Sequence, residues 1–179
     1  LMIKEINALS IALENPEAPS IAIVGGAKVS SKISVLKNLV KKLDSIIIGG
    51  GMANTFLFAR GAPMGKSLYE PGLVNTAKEI FQLAKISNCK ILLPKDVVIS
   101  KELKQNSIAN TVNYDECPND SMILDAGENS LKAFKSELSK AKTILWNGPI
   151  GAFEISPFNK STSALAKKAA ELTRERKCV

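Results

Sequence analysis

The 179-residue sequence contains no histidine. That absence removes Ser-His-Asp and Cys-His nucleophilic catalysis, together with most arrangements by which proteins hold transition metals. Any chemistry must run on lysine, carboxylates, backbone amides or a borrowed metal. Cysteine is scarce as well: Cys89, Cys117 and Cys178 stand far apart without paired spacing. Neither a disulfide framework nor a zinc knuckle is indicated, and a reducing cytoplasm fits. No apolar run approaches the roughly 20 residues needed to span a bilayer. The opening LMIKEINALS also lacks the charged-then-apolar layout of a signal peptide, so no membrane partner is expected. Aromatic residues make up only 5% of the chain, which weighs against a surface that stacks single-stranded bases.

What is present is an ordinary globular composition, 45% hydrophobic, enough to bury a core in one domain. Lysine and arginine outnumber acidic residues 24 to 17, for a net charge of +7. The lysines are scattered rather than blocked. Acidic small molecules such as nucleotides or phosphorylated metabolites are therefore the expected partners, and nucleic acid is not.

The apolar runs SIAIV (20–24), SIIIG (45–49), KILLP (90–94), SMILD (121–125) and KTILW (142–146) are short and mostly β-branched, as buried strands are. Between them, Val29, Ile33, Leu36, Leu39 and Leu43 follow helical spacing, as do Leu73, Ala77, Ile80, Phe81 and Ala84. Helices are also expected over 2–13 and 157–175, with a less regular segment at 95–120 holding a hairpin through SIANTVNY. This alternation predicts the α/β class: a Rossmann-like parallel β-sheet flanked by helices, in a single domain over 1–179. No repeat or linker divides it.

The stretch GAPMGKS (61–67) ends as a phosphate-cradling loop ends, but three residues separate its glycines where that motif needs four. No strand leads into it either, so Lys66 is expected to be replaceable. Ligands of parallel sheets bind at the carboxyl ends of strands. There the sequence places GGAKVSSK (25–32), GGGMAN (49–54), DAGENS (125–130) and NGPIGAFE (147–154). Gly25 and Gly26 permit a tight turn and close approach to a ligand. Lys28 and Lys32, four apart on the first helical turns, are placed to reach successive phosphates, each contact contributing about 1.5–3 kcal/mol against about 0.3–1 kcal/mol from the helix dipole. Such glycines can be mere turn residues and such lysines merely solvated. Four open loops on one sheet edge favour the binding reading. The dinucleotide pattern G-x-G-x-x-G is missing, which argues against a dehydrogenase. In the last loop Asn147 offers an amide, Gly148 and Gly151 flank Pro149 with amides free for an anion, and Glu154 is placed to accept from ribose hydroxyls.

ALENPEAPSIAIVGGAKVSSKI, IIIGGGMANTFL, ILLPKDVV and TILWNGPIGAFE together resemble the nucleotide-binding half of phosphoglycerate kinases, in family order along all 179 residues. The resemblance implies a cytoplasmic, usually monomeric glycolytic enzyme that moves a phosphoryl group between 1,3-bisphosphoglycerate and ADP with Mg²⁺. It assigns Lys28 to the transferring phosphoryl and Lys32 to the nucleotide phosphates. Gly26, Ala27, Gly50 and Gly51 become backbone neighbours of the nucleotide, and Gly127 and Leu68 fall at the adenine. Asn147, Gly148 and Pro149 lie beside the phosphates, with Glu154 on the ribose. Phosphoryl transfer asks for alignment and charge neutralisation, so a chain without histidine loses nothing.

The resemblance also implies a domain truncated at both ends, with the family's phosphoglycerate-binding domain and the final GGGD segment that carries the metal-binding aspartate absent from this chain. No metal ligand is therefore expected within 1–179. The expected role is the ATP/ADP-binding half of the kinase, with 3-phosphoglycerate engaged only when the other domain is supplied. The alternative expectation is a catalytically silent gene fragment with at most weak nucleotide binding.

Overall fold

The computed structural model describes residue 14, residues 16–175, and residues 177 and 178. The helix expected over 2–13 lies outside the described residues. The elements are β1 (Ser20–Val24), α1 (Ile33–Lys42), β2 (Ser45–Ile48), α2 (Gly50–Ala59), a 3₁₀ turn (Pro71–Leu73), α3 (Val74–Ile86), β3 (Lys90–Leu92), β4 (Asp96–Ser100), β5 (Asn110–Asn113), β6 (Met122–Ala126), α4 (Glu128–Leu138), β7 (Thr143–Asn147) and α5 (Lys160–Arg174).

Four strands form a parallel sheet in the order β3-β2-β1-β7. Every residue of β1 and β2 is buried, because helices cover both faces. On one face Ala22, Val24, Ile46 and Ile48 pack with Leu36 and Leu39 of α1, Met52 and Phe56 of α2, and Ile80 of α3. On the other, Ile21, Ile23 and Ile47 pack with Phe134 and Leu138 of α4 and Leu165 and Leu172 of α5. The chain runs outward from β1 through β2 to β3 and returns to lay β7 on the opposite side of β1. The order thus reverses between β1 and β7, and a crevice opens beyond their carboxyl ends.

The fourth expected strand is a correction. Residues 122–126 do not join the parallel sheet; β6 pairs antiparallel with β4, which pairs antiparallel with β5, in a separate three-stranded sheet. Buried Val97, Ile99 and Cys117 give this sheet its own small core. A short apolar run reports burial and says nothing of which strand it pairs with. The expected hairpin is present, with β5 returning along β4, although β4 itself lay inside the segment read as irregular.

Two helix starts also differ. α1 begins at Ile33, because residues 25–32 turn to carry Val29 into the core, with the Lys32 N–H donating to the Val29 carbonyl at 2.8 Å. Lys28 and Lys32 therefore lie in a loop rather than on a helix. α5 begins at Lys160 rather than Pro157, because residues 152–158 form successive turns that seat Phe158 in the interior.

Candidate functional site

The loops after β1, β2 and β7 meet at the crevice. Gly25 donates its N–H to the Asn147 carbonyl at 2.9 Å, and Gly49 donates to the Val24 carbonyl at 3.0 Å. A Cβ on Gly25 would stand 1.7 Å from the Pro149 carbonyl oxygen, so only glycine allows the first and last loops this contact. Gly148 has φ +86°, and its Cβ would press on the Gly25 carbonyl oxygen from the other side.

Lys32 closes the same junction. Its ammonium donates to the Gly25 carbonyl at 2.8 Å and to the Asn147 side-chain oxygen, which places a positive charge between Gly26 and Gly148. Lys28 is exposed in the same loop. The helix dipole expected beneath these lysines comes instead from α2, which starts at Gly50. Its first amides are partly used by the neighbouring loops: Gly50 donates to the Ile150 carbonyl at 2.6 Å and Met52 to the Gly26 carbonyl at 3.0 Å. The amides of Ile150 and Gly151, expected to be free for an anion, instead donate to the Thr162 hydroxyl at 3.1 and 3.4 Å.

A cavity of about 560 Å³ opens here. Gly26, Ala27, Gly50, Gly51, Pro149 and Glu154 line it, with Leu68 in the facing wall. Lys28, Lys32, Asn147 and Gly148 adjoin this cluster without lining the cavity. Gly127 does not line it either: it is buried against Asp96, whose carboxyl carbon would lie 2.3 Å from an added Cβ. That carboxylate instead caps α4, accepting from the Asn129 N–H at 2.9 Å and the Ser130 N–H at 2.7 Å. With β6 outside the parallel sheet, the loop carrying Gly127 does not share the sheet edge of the other three.

The wall also holds residues that the sequence did not single out. Leu103 and Phe153 are 47% and 46% exposed, and with Leu68 at 56% they form an apolar lip on the cavity. Phe153 was recoverable, since it adjoins Glu154 in a strand-end loop; Leu103 stands in an irregular stretch with no pattern to mark it. Lys66, given no role, lies in the wall beside Leu68. Asp125 is buried in the wall, where it accepts from the Ala126 N–H at 2.9 Å and the Ser161 N–H at 3.0 Å. Burial pushes its carboxyl up to about 6, although the Ser161 and Ala126 hydrogen bonds and the Lys160 charge oppose the rise. Asp125 thereby ties the end of β6 to the first turn of α5.

Among the described residues no three acidic, cysteine or histidine side chains converge in a way that could hold a metal. No described helix is long and apolar enough to cross a membrane.

The fold and crevice define an α/β protein of the Rossmann-like kind, with a glycine-walled cavity at the switch point of its parallel sheet. The family model described as phosphoglycerate kinase matches residues 1–179, and the chain belongs to that family. It is 52% identical over 174 residues to the phosphoglycerate kinase of a Ruegeria species, covering 97% of this chain and 44% of that protein. It is 54% identical over 173 residues to that of Zymomonas mobilis, with the same shares covered. Among solved structures, phosphoglycerate kinase from Coxiella burnetii superposes with a TM-score of 0.92 at 44% identity, over 96% of this chain and 44% of that one. The enzyme from Pyrococcus horikoshii does so with a TM-score of 0.78 at 27% identity, over 95% of this chain and 44% of that one. The chain thus spans less than half the length of these relatives.

Proposed function

We propose that this chain is the nucleotide-binding half of a phosphoglycerate kinase, holding ADP or ATP during phosphoryl exchange with 1,3-bisphosphoglycerate or 3-phosphoglycerate in cytoplasmic glycolysis. One observation carries the reading: a single cavity has a glycine-walled end beside the Lys32 ammonium and an apolar lip of Leu68, Leu103 and Phe153. A nucleoside diphosphate has the same two-ended character, anionic at the phosphates and flat and apolar at the base. Its volume falls in the range of about 300–1,000 Å³ typical of small-molecule sites.

In this reading Lys32 leaves the Gly25 and Asn147 oxygens for the nucleotide phosphates, and Lys28 swings in from the loop surface to the transferring group. Asn147, Gly148 and Pro149 flank the phosphates, while Gly26, Ala27, Gly50 and Gly51 give the ligand close backbone approach. Glu154 accepts from the ribose and Leu68 packs on the base. Gly127 acts from behind the wall, through the Asp96 cap. Calorimetric titration of ADP tests this. Wild type is expected to bind, and Lys32→Ala to bind about 10- to 100-fold more weakly, the equivalent of one lost charge-assisted contact. Lys66→Ala is expected to stay within about threefold, because Lys66 lies beside the base-packing residue rather than the lysine junction. Equal affinity for Lys32→Ala and wild type removes Lys32 from the site, and no binding by wild type overturns the reading.

Transfer requires two substrates held in line. A chain of less than half its relatives' length is proposed to hold one of them and to be catalytically silent alone. The expected result is no detectable 3-phosphoglycerate-dependent ADP formation from ATP; a rate near that of the intact enzymes contradicts it.

A further inference from the structure

Glu70 stands outside the motifs that define the nucleotide reading, yet its side chain grips the loop on which both lysines ride. Its two carboxylate oxygens accept from one residue, the Ser30 N–H at 3.0 Å and the Ser30 hydroxyl at 2.5 Å. Ser30 lies midway between Lys28 and Lys32. The other end of Glu70 is anchored as firmly. Its N–H donates to the Thr55 hydroxyl at 3.1 Å, and that hydroxyl donates to the Gly51 carbonyl at 3.2 Å inside α2. Next to Thr55 on α2, the Asn54 amide donates to the Leu68 carbonyl at 3.0 Å, and the Ser67 hydroxyl accepts from the Ile123 N–H at 2.8 Å. Residues 67–70 therefore join α2, the second sheet and the lysine loop.

We propose that Glu70 is a positioning residue: by its fork on Ser30 it fixes the Lys28–Lys32 loop against α2 and the Leu68 segment, setting the distance between the phosphate end and the base end of the cavity. This rests on the nucleotide reading and adds a residue that touches no ligand. Without the fork, loop 25–32 keeps its contact with β7 through Gly25 and its Val29 in the core, but loses its hydrogen-bonded tether at Ser30. The ammonium groups then spread over more positions, and alignment with the phosphates is weakened while the base end is untouched. The charge state agrees with the role. Partial burial raises the Glu70 carboxyl, but the Ser30 hydroxyl, the Ser30 and Val29 amides and the Lys28 charge outweigh it and hold the group below its usual value. The fork is thus made by a carboxylate at neutral pH.

The test uses the full 179-residue chain with Glu70→Ala, Glu70→Gln and, as a control, Glu79→Gln. Glu79 makes a comparable link, a 3.1 Å ion pair with Lys37 between α1 and α3, away from the loop. ADP and adenosine are titrated separately. Glu70→Ala is expected to lower ADP affinity about tenfold and to leave adenosine within about twofold, the size of a lost charged hydrogen bond felt only through the phosphates. Glu70→Gln, which keeps one acceptor oxygen, is expected to recover part of the loss, and Glu79→Gln to change neither ligand. An unchanged ADP affinity in Glu70→Ala overturns the proposal, as does a parallel fall for ADP and adenosine. Hydrogen exchange without ligand reads the loop separately: faster exchange confined to residues 29–33 in Glu70→Ala supports the tether, and unchanged exchange refutes it. Failure of wild type to bind ADP strikes the nucleotide reading, while this exchange result still decides what Glu70 does.

Discussion

Asp125 shows how one residue in the cavity wall leaves a mark on the stability of the chain. Its folded-state value near 6 lies above the ordinary value of 3.8, so the native state holds the proton more tightly than the unfolded chain does. The stability it contributes is fully present below the ordinary value and is lost as pH rises from about 4 to about 6, with no further change above. Asp96 and Glu70 act with the opposite sign. Burial raises the Asp96 carboxyl, but hydrogen bonds from Ser130 and Asn129 more than offset this, and both groups lie below their ordinary values. Their contributions are lost only as the solution becomes more acidic than those values. Thermal melts of wild type and Asp125→Asn from pH 4 to pH 8 are therefore expected to differ most near pH 4 in favour of wild type. The gap is expected to shrink to a constant above about pH 6.5. A gap of constant size across the series contradicts the assignment. None of this was legible in the letters DAGENS, since a carboxyl group's burial is set by residues distant in sequence, here Ser161 and Gly151.

Among the elements, β1, β2 and the stripes of α1 and α3 were legible because buried β-branched runs and three-to-four spacing report burial directly. The direction of β6 was not, because pairing depends on partners: β4 and β6 find one another through Val97 and Ile99, in a stretch that reads as irregular. The true start of α1 was hidden for a similar reason. Val29 fits the helical spacing, and only the close contact between Gly25 and Pro149 shows that the chain must first turn. Gly127 tests the same point at element scale. Its lack of a Cβ leaves room for the Asp96 carboxylate to cap α4, so Gly127→Ala is expected to cost about 1–3 kcal/mol by overpacking. Denaturant unfolding measures that, and a loss below about 0.5 kcal/mol, the range of an ordinary surface change, contradicts the cap's dependence on this glycine.

At the scale of the molecule, the sheet order β3-β2-β1-β7 puts the reversal of the chain between β1 and β7, and three glycine-bearing loops converge there. The cavity at that edge was therefore readable as a set of strand-end loops, even though the count of loops on that edge was one too high. Its apolar lip was less readable, since Leu103 comes from the connection between β4 and β5. Two other depressions, each of about 470 Å³, compete as places for an anion. One lies between α4 and α5, lined by Lys135, Lys160, Lys167 and Lys168; the other lies along residues 99–110. The footprint of ADP on the backbone amides of the 179-residue chain, followed by NMR shift changes during titration, separates them most directly. Saturable changes are expected at Gly26, Ala27, Gly50, Gly51 and Leu68 and through 148–154, with α5 beyond its first turn unaffected. Changes confined to the α4–α5 lysines or to residues 99–110 would contradict a nucleotide site at the carboxyl ends of β1, β2 and β7.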